Sequence, residues 1–117
     1  MTPPGIKPVR RGRASRRRGA RGEQEVVELL KAHGWTEARR NFGSGSQGGG
    51  DITGVPGVCV EVKLREALNI WKALEQVHRA AQPTELPVVA FRRNHVGWYA
   101  AVPLDELLAL LKLLEAA

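Results

Sequence analysis

Asp51 stands in the run Gly48-Gly49-Gly50-Asp51-Ile52, and ten residues later Glu61 stands in the segment Val58-Cys59-Val60-Glu61-Val62-Lys63-Leu64. Residues i and i+2 of a strand share a face, so Glu61 and Lys63 lie side by side. Taken alone, such a Glu-x-Lys is a solvated ion pair of little energetic consequence. Asp51 changes the weighing. The chain turns at Val55-Pro56-Gly57 and returns antiparallel, which lets Asp51 converge on Glu61. Two close carboxylates repel each other unless a proton or a cation lies between them. Hard oxygen ligands with few other donors favour Mg²⁺, which retains waters and accepts a substrate phosphate. Lys63 would then contact the attacking water or the phosphate and offset developing negative charge. The expected chemistry is metal-assisted hydrolysis of a phosphodiester.

Glu23 is the third carboxylate. At about 100° per residue it falls among Val26, Val27 and Leu30, inside an apolar stripe, whereas Glu25 and Glu28 fall on the opposite, solvated side. An acid on a core-facing stripe needs a cation or a metal site. It also stands in the first turn of the expected helix, where a carboxylate favours the dipole. Both readings are open.

The loop Gly43 to Gly50 carries five glycines in eight residues. Gly43-x-Gly45-x-x-Gly48 matches the dinucleotide-binding pattern by letter, but that pattern follows a strand and opens a helix. Here it leads into Asp51 and a strand, and no lysine follows in P-loop spacing. Ser44, Ser46 and Gln47 suit a clamp on backbone phosphates; a plain connector fits as well. Gln76, on a flank of the second helix, and Arg65, on the polar face of the strand, either border the site or are solvated surface groups. Trp35, Trp71 and Trp98 lack stacking-platform spacing and read as core or interface packing.

The net charge of +6 is unevenly spread. Residues 1–22 hold eight Lys/Arg and no acid, while the remaining 95 hold ten Lys/Arg against twelve Asp/Glu. The excess lies in an arm from Lys7 to Arg21 with its dense centre at Arg16-Arg17-Arg18. Such an arm neutralises phosphates with strong salt dependence, or serves as a solubilising tail or address tag. One cysteine, Cys59, excludes an intramolecular disulfide framework and a cysteine-based zinc site. His33, His78 and His95 are scattered without ligand spacing. No apolar run nears the ~20 residues of a membrane span, and none follows the basic N-terminus as in a secretory signal. A reduced, cytoplasmic setting is the expectation.

The elements that must position these residues follow from periodicity. Residues 1–18 form a basic, flexible arm and 19–117 a single domain. A helix is predicted from about Gly19 to Gly34, then a strand over Thr36 to Phe42 and a short one at Ile52. Val58 to Arg65 is the clearest strand: Val58, Val60, Val62 and Leu64 face one way, and Cys59, Glu61, Lys63 and Arg65 the other. A helix over Glu66 to Ala81 has its stripe at Ala67, Ile70, Leu74, Val77 and Ala81. Strands at Pro87–Arg92 and His95–Val102 form a hairpin around Arg93-Asn94, and a leucine-rich helix runs from Leu104 to Glu115. The order αβββαββα implies an α/β fold, a mixed central sheet flanked by helices.

These residues resemble the PD-(D/E)xK nuclease superfamily, and within it the archaeal and phage Holliday-junction resolvases. The likeness runs from Arg18 to about Val102: Arg-Gly-Ala-Arg-Gly-Glu opening the first helix, Gly34 before Trp35, the Ser/Gly loop, Asp51-Ile52, the Glu61-Val62-Lys63 strand, and Gln76 on the next helix. It implies a restriction-endonuclease-like core and an endonuclease that uses Mg²⁺, with Mn²⁺ as a substitute. Asp51, Glu61 and the Val62 carbonyl would be metal ligands, Lys63 would assist the water, and Glu23 would complete the acidic site. Arg16, Arg17, Arg18, Arg21, Ser44, Ser46, Arg65 and Gln76 would border the nucleic acid. A homodimer would cut opposed strands of a four-way junction in DNA recombination and repair, leaving 5′-phosphate and 3′-hydroxyl ends. Gly50 stands where the family pattern has proline. The terminal leucine helix exceeds the minimal core and either covers the sheet or forms a subunit interface. Two alternatives stay open: a restriction-like or repair nuclease of the same superfamily, and a non-catalytic DNA-binding module on the same fold.

Overall fold

The computed structural model describes residues 7–43 and 49–117, with side chains from Arg13 onward. Residues 1–6 and 44–48, and with them the roles expected of Ser44, Ser46 and Gln47, lie outside the described residues. The elements are α1 (Lys7–Ala32), β1 (Arg39–Arg40), β2 (Ile52–Thr53), β3 (Val58–Leu64), α2 (Ile70–Ala80), β4 (Leu86–Arg92), β5 (Tyr99–Ala101) and α3 (Leu104–Ala116). The strands form one sheet in the order β1-β2-β3-β4-β5. β3 and β4 are parallel, and every other neighbouring pair is antiparallel. The predicted order and the mixed α/β sheet are therefore observed.

Several boundaries differ from expectation. α1 starts at Lys7, not near Gly19, because Arg and Ala are good helix formers even where no apolar stripe exists. Pro8 falls in its first turn, where a missing N–H costs nothing. The first strand shrinks from Thr36–Phe42 to two residues. The second helix starts at Ile70, since the side chain of Asn69 accepts from Lys72 N at 3.2 Å and caps it. Ala67 thus stands outside the helix and exposed, and Ala73 takes the buried place instead. The last strand begins at Tyr99, after a long turn in which His95 adopts φ 65°.

The alternation of β3 divides two cores. Val60 and Val62 pack with Val26, Val27, Ala38, Ile52 and Ala90 beneath α1. Cys59 faces Ala73, Val77 and Val89 beneath α2. Both faces of the sheet are thus covered, as a two-sided layer architecture requires. Gly22 lets α1 approach closely: a Cβ there would lie 3.1 Å from the Leu64 Cβ and 3.4 Å from Val62 Cγ1. Trp98 joins the first core, but Trp71 is 78% exposed and belongs to neither. Among the described residues no helix is long and apolar enough to cross a membrane.

Candidate functional site

β2 pairs with β3 for only a short stretch, and where it runs out the Asp51 side chain takes over. Asp51 N donates to Val60 O at 2.7 Å. Its carboxylate Oδ2 accepts from Val62 N at 2.8 Å, standing where a backbone carbonyl of a longer strand would be. In an extended strand the carbonyl of a residue faces the same side as its N–H, so Val62 C=O opens on this edge too.

Gly50 fixes the approach. A Cβ on it would meet Val60 O at 2.4 Å and Val60 N at 2.9 Å, both backbone atoms. Proline, which carries a Cβ, does not fit this backbone, so glycine here is a geometric requirement and not a neutral replacement. Asn41 closes the other end of the glycine loop: its N donates to Asp51 O at 2.9 Å and its Nδ2 to Gly50 O at 3.0 Å.

Glu61 lies on the α2 face of β3 and is only 4% exposed, which removes the reading of a solvated ion pair. Burial, then the charge and hydrogen bonding of Asp51, push its carboxyl up to about 8; Lys63 opposes that rise. The Lys63 ammonium is directed to Gln76, donating to Oε1 at 2.8 Å, and Gln76 Nε2 donates in turn to Glu61 Oε2 at 3.3 Å. Gln76 therefore bridges the acid and the base of the strand instead of merely flanking them.

Glu23 is half-buried and points to the site from α1, but its partner is Arg40, whose Nε donates to Oε1 at 3.0 Å. Burial raises the Glu23 carboxyl, the Arg40 hydrogen bond lowers it, and the charge of Asp51 raises it again. The Arg40 guanidinium also lies 4.6 Å from the Phe42 ring centre. Among the described residues no three His, Cys, Asp or Glu side chains converge to ligating distance. Asp51 and Glu61 form a pair, with Glu23 set back against its arginine.

Arg18 reaches the same region. A cleft of about 350 Å³ is lined by Ser15, Arg18 and Gly19 of α1 and by residues 62–67, which include Lys63 and Arg65. A smaller one of about 140 Å³ runs between Lys63, Arg65, Lys72 and Gln76. Arg16, Arg17, Arg18, Arg21 and Arg65 are all exposed. Another cleft, about 490 Å³, lies at the other end of β3, beside Trp35 and Val55–Gly57, and no cationic side chain lines it.

Three roles escaped the sequence. Arg40 and Asn41 sit in a stretch with no periodicity to mark an inward side chain. Glu25, placed by its helical angle on the solvated side, accepts instead from Arg92 Nε and Nη2, both at 2.9 Å, and from Trp98 Nε1 at 3.1 Å. That cluster pins α1 to the end of β4 two residues from Glu23. The only available signal was the inward Trp98, whose indole N–H needs an acceptor. Cys59 is buried, which pushes its thiol up to about 11 and leaves it without nucleophilic character. No family model matches the chain, and neither the curated proteins nor the solved structures contain a match to it.

Proposed function

We propose that the chain is a Mg²⁺-dependent DNA endonuclease acting on branched DNA, as a Holliday-junction resolvase with a restriction-endonuclease-like core. The observation that carries the reading is Glu61, a buried carboxylate that faces Asp51 and no paired cation. Lys63 is turned to Gln76, and Arg40 is spent on Glu23. A buried acid pair costs stability, and such arrangements concentrate at functional sites.

The donor set suits a hard cation. Asp51, Glu61 and the main-chain carbonyl of Val62 offer oxygen ligands on one edge of β3 and would hold Mg²⁺, or Mn²⁺ in its place. Bound there, the cation supplies Lewis acidity towards the phosphodiester and lowers the pKa of a water. Lys63, fixed by Gln76, holds the attacking water or the non-bridging phosphate oxygen. Glu23 stands ready on the opposite side, in reach of the charge of Asp51. Arg16, Arg17, Arg18, Arg21 and Arg65 grip the flanking backbone, and their contribution is electrostatic and indifferent to sequence. Two copies acting together give opposed nicks.

A synthetic four-way junction with Mg²⁺ tests this. Paired symmetric nicks are expected, and none with EDTA. Linear duplex cut as readily as the junction would leave a nuclease of another type. Tight binding without hydrolysis under any divalent ion would leave a non-catalytic binding module.

A further inference from the structure

A row of side chains crosses three strands beside the acid pair. In register, Lys63 of β3 stands next to Phe91 of β4, and Phe91 next to Tyr99 of β5. Registered neighbours share a face of the sheet, so Phe91 and Tyr99 continue the face that holds Lys63. Two strand spacings of about 4.8 Å put Tyr99 roughly 10 Å from Lys63. The two rings are 6.3 Å apart between centres and tilted by 31°. Phe91 packs against the core of Cys59 and Val77, whereas Tyr99 is 62% exposed.

These rings wall a cleft of about 280 Å³ together with Leu68 and Val96. It lies beyond the C-terminal ends of the parallel pair β3 and β4, where open α/β sheets take their ligands. Arg65 and Arg93 line it, are exposed, and make no ion pair among the described residues. Glu66 is the one acid of the lining, and Arg92 is held by Glu25. Arg65 also lines both clefts at Lys63, so the three spaces adjoin. An apolar slot with an open aromatic face and guanidinium groups beside it fits a flat, uncharged ring system that carries phosphate. An unpaired nucleobase meets that description, stacking on the phenol while its backbone meets the arginines. A base inside a duplex does not, because its faces and pairing edge are already taken. The space is just below the about 300 Å³ at which ligand pockets begin, which suits one base.

We propose that this cleft receives one unpaired nucleobase of the bound strand, stacked on Tyr99, with the flanking phosphates held by Arg65 and Arg93. The proposal deepens the hydrolytic reading and rests on it for placing DNA at Lys63. The row from Lys63 to Tyr99 sets the spacing, since a nucleotide swung out of its stack carries its base away from the phosphate that Lys63 holds. Extruding a base is cheapest where pairing is already interrupted. Tyr99 is thus a specificity residue, favouring strands with an open base next to the cut over intact duplex.

Fluorescence anisotropy with EDTA reads binding without cleavage. The full chain is titrated against labelled oligothymidylate and against the same backbone with abasic sites in place of the bases. The wild type should bind the base-bearing strand about 5- to 150-fold more tightly, the worth of one stacked base. Tyr99→Ile keeps strand propensity but has no aromatic face. It should erase that preference while binding of the abasic strand and the circular dichroism stay unchanged. Tyr99→Trp should keep the preference or enlarge it. Absent or equal binding of the two strands by the wild type, a preference that survives Tyr99→Ile, or one lost in Tyr99→Trp each overturns the proposal. A Tyr99→Ile chain that keeps the preference but loses self-association in sedimentation velocity overturns it too and gives the cleft to a second copy. Base preference without junction cleavage retains the capture and removes the hydrolysis, whereas cleavage without base preference removes the capture alone.

Discussion

The edge of β3 and the helix α3 break the same rule from opposite sides. At β3 an acid that belongs in water is buried, and among the described residues no buried side-chain nitrogen or oxygen lacks a partner. On α3, leucines that belong in a core stand in water. The first departure is tightly built, with Gly50, Asn41, Val62 and Gln76 each fixing one carboxylate or its neighbour. The second is open, since α3 buries none of its residues. The misplaced polar group is held by named partners, whereas the misplaced apolar groups are left in water. The two are separable by experiment.

The largest effect is expected at the acid pair. Asp51→Asn should lower junction cleavage by more than about 100-fold, the upper range for losing even an outer partner of a metal ligand, while junction binding in a gel-shift assay persists. Cleavage near the wild-type rate would remove Asp51 from the chemistry. Gln76→Leu should cost about 10- to 100-fold in rate, because Lys63 and Glu61 both lose the group that orients them. A rate unchanged by this variant would return Gln76 to the solvated flank.

Gly50→Ala should destabilise the fold by about 1–3 kcal/mol, the range of an overpacked core, as the new methyl meets the Val60 carbonyl. An unchanged midpoint in urea would show that the close approach does not set Asp51. A gentler measurement is stability against pH without metal. The folded pKa of Glu61, about 8, lies above its ordinary 4.5. The native state therefore holds a proton that the unfolded state has released, and stability should fall as pH rises from 4.5 to 8. The slope is at most about 1.4 kcal/mol per pH unit. Glu61→Gln should flatten it, but Leu107→Glu with Leu111→Glu should not, which sharpens the contrast between the regions. The smallest effect is on salt dependence: replacing Arg16, Arg17 and Arg18 with alanine should make the log–log slope of junction binding shallower by up to about three. An identical slope would mean these side chains do not reach phosphate.

Much of this arrangement was legible in the sequence because period-two alternation is a local signal. It placed Glu61 and Lys63 on one face of β3 and the valines on the other, and the turn at Val55–Gly57 brought Asp51 back to the same edge. The 3.6-residue period likewise put Val26 and Val27 inward with Glu23 between them. What periodicity does not contain is the identity of the opposing group. Arg40 on Glu23, Gln76 between Glu61 and Lys63, and Arg92 on Glu25 are contacts 15 to 67 residues apart in the chain. Each depends on how a helix is rotated on the sheet. The early start of α1 was missed for another reason: arginine-rich helix has propensity without an apolar stripe.

The hydrogen bond from Val62 N to Asp51 has one more consequence, for solubility. A strand whose neighbour ends early offers unpaired N–H and C=O groups that recruit strands from other molecules. Here a carboxylate occupies the vacant acceptor position, so the residue that would ligate a cation also guards the strand against edge-to-edge aggregation. Asparagine keeps an oxygen in that place and alanine does not. Loss of Asp51 to alanine would therefore look like a folding defect in a cell extract, whatever else the carboxylate does.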